Sequence, residues 1–303
     1  MTLTALILIS CSIFLHVGWN MISKATRPSM AFYTLMSATG ATVCLPFFLM
    51  SEWRLNALPP QFFGLCAASI AFEIIYVFGL ARAYKSNDIS LVYPMIRALP
   101  VLLTAALTLL LGIGRPFGPA VFGGMVMIAC GCMIMPFASF RRIDCSVWRS
   151  RMTVFILLGA AGTTGYTLCD SRAMGFIRES SSSGASDLIG TLGFLFMIEL
   201  GLSLGSLLVV LSDRRERLLF SHMFGKTLYP SLAGCCSSGA YVLVLLAMGH
   251  VNNVSYIQAF RQLSLPVGFF FGVFLLREKG SPPKVCGMVL IVAGLLIVSL
   301  CGG

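Results

Sequence analysis

Long apolar stretches separated by short polar segments make up most of this chain. Ten of them are long enough to cross a hydrocarbon core of roughly 30 Å as helices. The predicted spans are residues 3–23, 30–50, 61–83, 89–112, 117–138, 152–173, 187–211, 228–249, 255–276 and 284–301. Transmembrane strands alternate apolar and polar residues in segments of about ten, whereas these runs are continuous and longer. The pattern therefore predicts an all-α polytopic membrane protein with ten transmembrane helices.

The second half of the chain repeats the first. The segment GMVMIACG at 124–131 returns as GMVLIVAG at 287–294, and NDIS at 87–90 returns as NNVS at 252–255. Each half holds five predicted spans, and because five is odd the second half enters the membrane in the opposite sense. We therefore expect two five-helix inverted repeats, residues 1–140 and 152–303, joined by a basic connector at 141–151. This architecture is typical of secondary transporters.

Composition and charge agree with a membrane protein. The chain is 57% hydrophobic and 11% charged, with a mean hydropathy of +0.91, which is far more apolar than a soluble domain. A net charge of +10 is compatible with nucleic-acid binding, but the distribution of the charge argues against that function. Odd-numbered loops hold most of the basic residues: Lys24, Arg27, Arg82, Lys85, Arg141, Arg142, Arg149, Arg151, Arg214, Arg215, Arg217, Lys226, Arg277, Lys279 and Lys284. Even-numbered loops hold only Arg54, Arg115, Arg172 and Arg178. This asymmetry predicts cytoplasmic odd loops, with both termini outside.

Four ionisable side chains fall well inside predicted spans: Glu73, Arg97, Glu199 and Arg261. Each costs about 2.5–3.5 kcal/mol at a helix centre, so all four must face the interior of the protein. One interpretation is two internal ion pairs that lock helices together. We favour a polar transport pocket, because a buried ion pair stabilises a fold poorly compared with apolar packing.

Polar residues at helical spacing extend this predicted pocket. The predicted substrate-binding residues are Trp19, Asn20, Tyr93, Arg97, Gln258, Arg261 and Gln262, and the predicted proton-coupling residues are Glu73 and Glu199. Asp170 lies close to Arg172, so an ion pair at the membrane interface is at least as good an interpretation as a site.

Prolines and glycines mark places where helices bend or approach each other. Pro100 and Pro266 occupy matching repeat positions and predict kinks that serve either packing or gating. Gly124, Gly131 and their repeat counterparts predict close helix contacts. These contacts would lie either within one chain or in a homodimer formed through the fifth and tenth helices.

The chain carries no sequence motif for enzymatic chemistry. The eleven cysteines form no C-x-x-C pair and are scattered through apolar spans. The chain contains no zinc-protease, serine-hydrolase or phosphate-binding loop signature. We therefore expect a protein that is not an enzyme and that uses no cofactor or metal.

Several of these features resemble the EamA-type family of the drug/metabolite transporter superfamily. Trp19-Asn20 followed by Ser23-Lys24 is similar to the family's opening helix, and each repeat shows its Asn, Pro-Val and Leu-Leu positions and a glycine-punctuated last helix. The family usually places Leu-Gly-Glu after the fourth helix of each repeat. Glu278 fits that pattern in the second half, whereas residues 112–116 of the first half lack the acid.

The resemblance implies ten helices around a central cavity and the movement of small metabolites, often outward. Two arginines suit a carboxylate, phosphate or phosphonate, so we expect a small anionic or zwitterionic substrate. Proton-coupled alternating access in the bacterial inner membrane is the expected mechanism. A passive channel and a multidrug-type efflux transporter are the alternatives.

Overall fold

A computed structural model of the protein describes residues 2–26, 29–51, 58–86, 89–137, 139–141, 152–180, 184–276 and 281–302. These residues form helices joined by short loops, with no strand among them. The first half contains α1 (Leu3–Thr26), α2 (Met30–Met50), α3 (Pro60–Ser86), α4 (Ile89–Leu110) and α5 (Pro119–Ile134). The second half contains α6 (Met152–Ser180), α7 (Gly184–Ser212), α8 (Arg214–Met223), α9 (Tyr229–Met248), α10 (Ser255–Arg261), α11 (Ser264–Leu276) and α12 (Pro282–Cys301).

Among the residues that the structure describes, six helices are long and apolar enough to cross a membrane. The qualifying segments are Leu3–Ser23, Met30–Met50, Pro60–Ala83, Asp187–Ser212, Tyr229–Met248 and Pro282–Cys301. Helices satisfy their backbone hydrogen bonds internally, which an apolar solvent demands. The protein is thus a helical, multi-pass protein of the membrane type.

The two halves of the chain pack into each other. The most extensive helix contacts are α3 with α6, α2 with α7, α5 with α12, and α1 with α9. In each pair, one helix comes from residues 1–140 and the other from residues 152–303. The fold therefore depends on contacts between the halves, and polar residues from both halves meet in the interior.

Glycines bring α5 and α12 into backbone contact. A Cβ added at Gly131 would lie 2.6 Å from the carbonyl oxygen of Gly287, and one added at Gly287 would lie 2.6 Å from that of Gly131. Gly124 and Gly294 meet in the same reciprocal way, at 2.9 and 2.6 Å. The glycine faces predicted for packing or for a homodimer are thus covered within one chain.

The segment predicted as a single ninth span, residues 255–276, is interrupted. It forms two helices, α10 and α11, separated at Gln262 and Leu263. Pro266 lacks an N–H group, which weakens the helical ladder just after the break. The prolines of the first half act differently, because α4 runs without interruption through Pro94 and Pro100.

A set of polar contacts joins two loops and the N-terminal segment at one end of the bundle. The side-chain amide of Asn253 donates to the carbonyl oxygens of Ile113 and Arg115, both at 3.2 Å. The backbone N–H of Arg115 donates to the carbonyl of Asn252 at 2.9 Å. Thr2 reaches the same end, since its hydroxyl donates to the carbonyl of His250 at 3.1 Å. We call these contacts the loop clasp.

The glycine crossing predicts a position-specific cost for a methyl group on α5. Gly131→Ala should lower the unfolding midpoint in detergent, because its Cβ meets backbone that cannot move aside; overpacking of this kind costs about 1–3 kcal/mol. Gly123→Ala is the matched control on the same helix, since no atom lies within 4 Å of its added Cβ. Equal effects of the two substitutions would contradict the packing described here.

Candidate functional site

A narrow cavity lies at the centre of the bundle, between helices of the two halves. Its volume is about 70 Å³. Pockets that hold a drug-sized ligand have roughly 300–1,000 Å³, so this cavity takes water or a small polar group unless its walls separate. Its larger polar and aromatic lining residues are His16, Trp19, Tyr33, Glu73, Tyr76, Tyr166, Glu199, Tyr241 and Arg261.

Arg261, the last residue of α10, is the cation of the cavity wall. Its side chain is only 9% exposed, and its Nη1 atom is buried without a hydrogen-bond partner. The guanidinium carbon lies 5.9 Å from the centre of the Tyr241 ring, an attractive cation–π geometry. Among the described residues, no carboxylate oxygen comes within ion-pair distance of Arg261. An anionic group that reaches this buried, unpartnered N–H donor would form a strong, charge-assisted hydrogen bond.

Two carboxylates share the cavity with Arg261. Glu73 on α3 is half-buried and lines the cavity directly. Glu199 on α7 is 8% exposed and accepts a hydrogen bond from the Ser238 hydroxyl at 2.8 Å. Gly40 makes room for this pair, because a Cβ there would lie 2.3 Å from the serine oxygen. The cavity thus presents positive and negative groups on different walls.

Asp170 lies in a different place from the interfacial ion pair considered above. The helix α6 continues to Ser180, so Asp170 sits well inside it and is fully buried. Its carboxylate accepts hydrogen bonds from Ser69 on α3, at 2.5 Å, and from the hydroxyl of Tyr241 on α9. Asp170 therefore joins helices of both halves, and the interpretation as a surface pair with Arg172 is wrong.

Three tyrosines surround the space next to Arg261. Tyr166 on α6 makes edge-to-face contacts with Tyr76 on α3 and with Tyr241 on α9, each with 5.9 Å between ring centres. Tyr76 and Tyr241 occupy matching positions of the sequence repeat. Their hydroxyls and rings give the cavity a surface that is both aromatic and hydrogen-bonding.

Arg97 on α4 binds the interruption between α10 and α11. Its Nη2 donates to the carbonyl oxygen of Arg261 at 2.8 Å and to the hydroxyl of Ser264 at 3.2 Å. Its Nε donates to the side-chain oxygen of Gln262 at 3.2 Å. The helix break leaves the Arg261 carbonyl without its usual backbone donor, since the N–H of Leu265 bonds to Gln262 instead. The Ser264 hydroxyl, at 2.8 Å, and Arg97 both donate to that carbonyl, so Arg97 connects α4 to the end of α10.

His16 on α1 lies between two donors. The indole N–H of Trp19 donates to its Nδ1 at 3.0 Å, and Nη1 of Arg97 lies 3.0 Å from its Nε2. A neutral imidazole has one N–H and one free lone pair, so it accepts from only one of these neighbours at a time. The tautomer of His16 thus decides whether Trp19 or Arg97 has the bond.

The predicted site residues divide into three groups. Trp19, Glu73, Glu199 and Arg261 line the cavity. Asn20, Arg97, Gln258 and Gln262 make hydrogen bonds behind its wall: Asn20 to the His16 carbonyl at 2.6 Å, for example, and Gln258 to Thr167 at 2.7 Å. The side chain of Tyr93, like Glu278, lies outside the described residues. Roles in substrate binding and proton coupling stay predictions.

The sequence pattern places Tyr166 on the same face of the sixth span as Thr163 and Asp170, but it missed Tyr241 as a partner of the charged residues. The available signal for Tyr241 was its match with Tyr76 in the repeat. No group of three potential metal ligands lies together in the described part of the chain.

Comparison with known proteins supports the fold and leaves the activity open. No family model and no curated protein matches this sequence. Solved structures do match, with 28 similar chains. One of them, named only as the crystal structure of a protein, covers 99% of this chain and 98% of its own length, with a TM-score of 0.68 and 15% identity. The chain thus shares its complete fold with a protein whose printed name states no function.

The contacts of Arg97 predict a large loss of stability when it is removed. Arg97→Ala removes the donor to the side-chain oxygen of Gln262 and one of the two donors to the Arg261 carbonyl, and an unsatisfied buried group costs about 1–3 kcal/mol. The unfolding midpoint in detergent should fall clearly below that of Arg82→Ala. Arg82 is the control because its pair with Asp213, at 3.8 Å, is more than a third exposed on the arginine side and contributes about 1 kcal/mol at most. A stable Arg97→Ala protein that no longer binds substrate would instead assign Arg97 to the pocket.

Proposed function

We propose that this protein is a secondary transporter of the drug/metabolite type, which moves a small anionic or zwitterionic metabolite by proton-coupled alternating access. In this proposal, ten transmembrane helices form two inverted five-helix repeats in a bacterial inner membrane, and export is the favoured direction. The observation that carries the proposal is Arg261, a buried arginine with an unpartnered N–H group in a central cavity that also holds two carboxylates.

Contacts between equivalent residues support an inverted repeat. The repeat aligns Gly124 with Gly287 and Gly131 with Gly294. In the structure Gly124 meets Gly294, and Gly131 meets Gly287, which is the exchanged pairing that a two-fold axis produces. The repeat also aligns Arg97 with Gln262, and these two side chains bond directly. Two residues related by a two-fold axis contact each other only when both lie close to that axis.

Loop contacts support ten membrane crossings. The described contacts of the loop clasp join segments that the ten-span topology places outside, namely the N-terminus with loop 8 and loop 4 with loop 8. At the other end, the described contacts join odd-numbered segments. These are Ala31 with Glu216 (loops 1 and 7), Arg82 with Asp213 (loops 3 and 7) and Phe137 with Ser281 (loops 5 and 9). An extra or missing crossing would mix the two groups.

Helix α6 is not among the six long apolar segments, and its interior face is polar. Thr163, Thr164, Thr167 and Asp170 are all buried, so these polar groups do not contact lipid. The hydroxyls of these three threonines also donate to carbonyls of their own helix, at 2.7–3.0 Å. A helix of this kind crosses a membrane when its polar stripe faces neighbouring helices. The segments Ile96–Leu110 of α4 and Pro119–Ile134 of α5 are apolar but shorter than the six long helices, and in our proposal they and the α10–α11 pair also cross the membrane.

The cavity chemistry points to the substrate class. Arg261 offers a carboxylate, phosphate or phosphonate a charge-assisted hydrogen bond. Glu73 and Glu199 offer an amine a counter-charge, or carry the coupling proton. A lipophilic cation, the substrate expected of a multidrug transporter, would meet the unneutralised Arg261 and be repelled.

The loop clasp and the narrow cavity favour alternating access over a passive channel. An open pore needs a continuous path, whereas the clasp ties loops together across one end of the bundle. Both ends of the bundle are tied in this structure, so transport then requires the clasp and the contacts at the opposite end to release in turn. Counterflow distinguishes the two mechanisms: a carrier accelerates uptake of labelled substrate when unlabelled substrate is inside, and a channel does not.

Removing Arg261 should weaken binding of an anionic substrate. A panel of amino acids, organic acids, phosphate monoesters and phosphonates is first screened by thermal shift on the purified protein. For compounds that bind, Arg261→Ala should raise Kd about 10- to 150-fold, because a hydrogen bond to a charged group contributes about 1.5–3 kcal/mol. Arg172→Ala, an exposed arginine on α6, is the control. Unchanged binding in Arg261→Ala would remove this arginine from the site.

Neutralising Glu73 should separate substrate flux from the proton gradient. In liposomes, Glu73→Gln should transport at a rate that no longer depends on an imposed pH difference, because glutamine does not take up or release a proton. Glu179→Gln serves as the control, since Glu179 is exposed at the end of α6. A pH-gradient dependence that survives in Glu73→Gln would exclude Glu73 as the coupling residue and leave Glu199 as the remaining predicted one.

A further inference from the structure

The helix α8 begins directly after the long apolar helix α7 ends. Asp213 separates them and caps α8, since its side chain accepts the N–H of Arg215 at 2.9 Å. The sequence of α8 is RRERLLFSHM, which is strongly basic at its start. Because the apolar segment Asp187–Ser212 has just ended, α8 lies where the hydrocarbon core meets the headgroup region.

Glu216, the acidic residue of α8, points into the protein. Glu216 is 1% exposed, and its carboxylate accepts the N–H of Ala31 at the start of α2, at 3.1 Å. Leu219, Phe220 and Met223 are half-buried on the same side of the helix. The inward face is thus occupied by contacts within the chain, and the helix is held in a fixed orientation.

The outward face combines positive charge with exposed apolar groups. Arg214 and Arg215 are exposed and form no ion pair within the described residues. Leu218, one turn after Arg214, is 64% exposed. In the turn that follows the helix, Phe224 is 65% exposed and Lys226 is also exposed.

We propose that this outward face, formed by Arg214, Arg215, Leu218, Phe224 and Lys226, is a binding surface for anionic phospholipid. The apolar side chains enter the acyl boundary of the bilayer, while the cations meet lipid phosphates at the headgroup level. This mixture of basic and large apolar residues is what an interfacial helix uses to hold an anionic membrane. A soluble acidic partner would leave Leu218 and Phe224 without an apolar contact, whereas a bilayer buries both side chains.

The lipid contact has a path to the interior of the protein. Glu216 on the opposite face of α8 bonds to the first turn of α2. Further along α2, Thr34 bonds to Ser206 on α7 at 2.9 Å, and Gly40 packs against Glu199. Anionic lipid that orders α8 therefore stabilises α2 and α7, a pair that joins the two halves.

The test uses the full chain in nanodiscs made of dimyristoyl phosphatidylcholine, with or without one quarter dimyristoyl phosphatidylglycerol. The anionic lipid should raise the unfolding midpoint of the unchanged protein by about 2–4 °C or more. It should also slow amide exchange in α8. The double variant Arg214→Gln/Arg215→Gln should lose most of both effects. The double variant Arg214→Lys/Arg215→Lys, which keeps the charges, should retain both effects and so show that substitution at these two positions does not itself disrupt folding.

A second double variant controls for general attraction to anionic membranes. Arg141→Gln/Lys284→Gln removes two charges from the same predicted side of the membrane and should keep the full response. Equal losses in this control and in Arg214→Gln/Arg215→Gln would overturn the proposal, as would an unchanged midpoint with phosphatidylglycerol. Inorganic phosphate added to phosphatidylcholine discs should have no effect, and a matching shift would assign the surface to a free anion. None of these measurements depends on transport.

Discussion

The interruption between α10 and α11 is the constraint on which the interior of this protein depends. A carbonyl without any donor costs several kcal/mol in an apolar environment, so the break needs side-chain partners. The Ser264 hydroxyl and Arg97 both donate to the Arg261 carbonyl, and the further bonds of Arg97 to Gln262 and Ser264 tie α4 to the broken segment. The same interruption ends α10 at Arg261, which leaves that guanidinium in the cavity. The arginine that binds the helix break and the arginine of the cavity wall therefore meet at one point.

The cavity depends on aromatic and polar groups that hold its charged residues apart. Arg261 has the ring of Tyr241 beside it, and Tyr241 in turn donates to Asp170, so that carboxylate is engaged through a tyrosine. Glu199 is engaged by Ser238. In the proposed function, a direct pair between the arginine and an acid would have to break before a substrate could bind. The proposal therefore depends on this separation of the charged groups.

The amino-acid pattern predicted the apolar helices and the buried ionisable residues well, because both follow from the cost of placing polar groups in hydrocarbon. It did not predict the orientation of each helix about its axis, which decides that Arg261 faces the cavity and Arg97 faces the helix break. Asp170 was misplaced because the sixth span was predicted to end at 173, whereas α6 continues to Ser180. The short helix α8 was missed because ten mostly polar residues between two apolar spans look like an ordinary loop.

The contact between Arg97 and Gln262 carries a consequence for how such a chain arises. If two identical five-helix proteins formed a dimer with this architecture, each would place the same residue on the axis, facing its own copy. Two arginines there would repel each other, and two glutamines would supply no charge for the broken helix. In the proposed inverted repeat, joining the copies into one gene removes that restriction, since each half can then change alone. Under that proposal, the Arg97–Gln262 pair is open to a fused chain and closed to a symmetric dimer of identical halves.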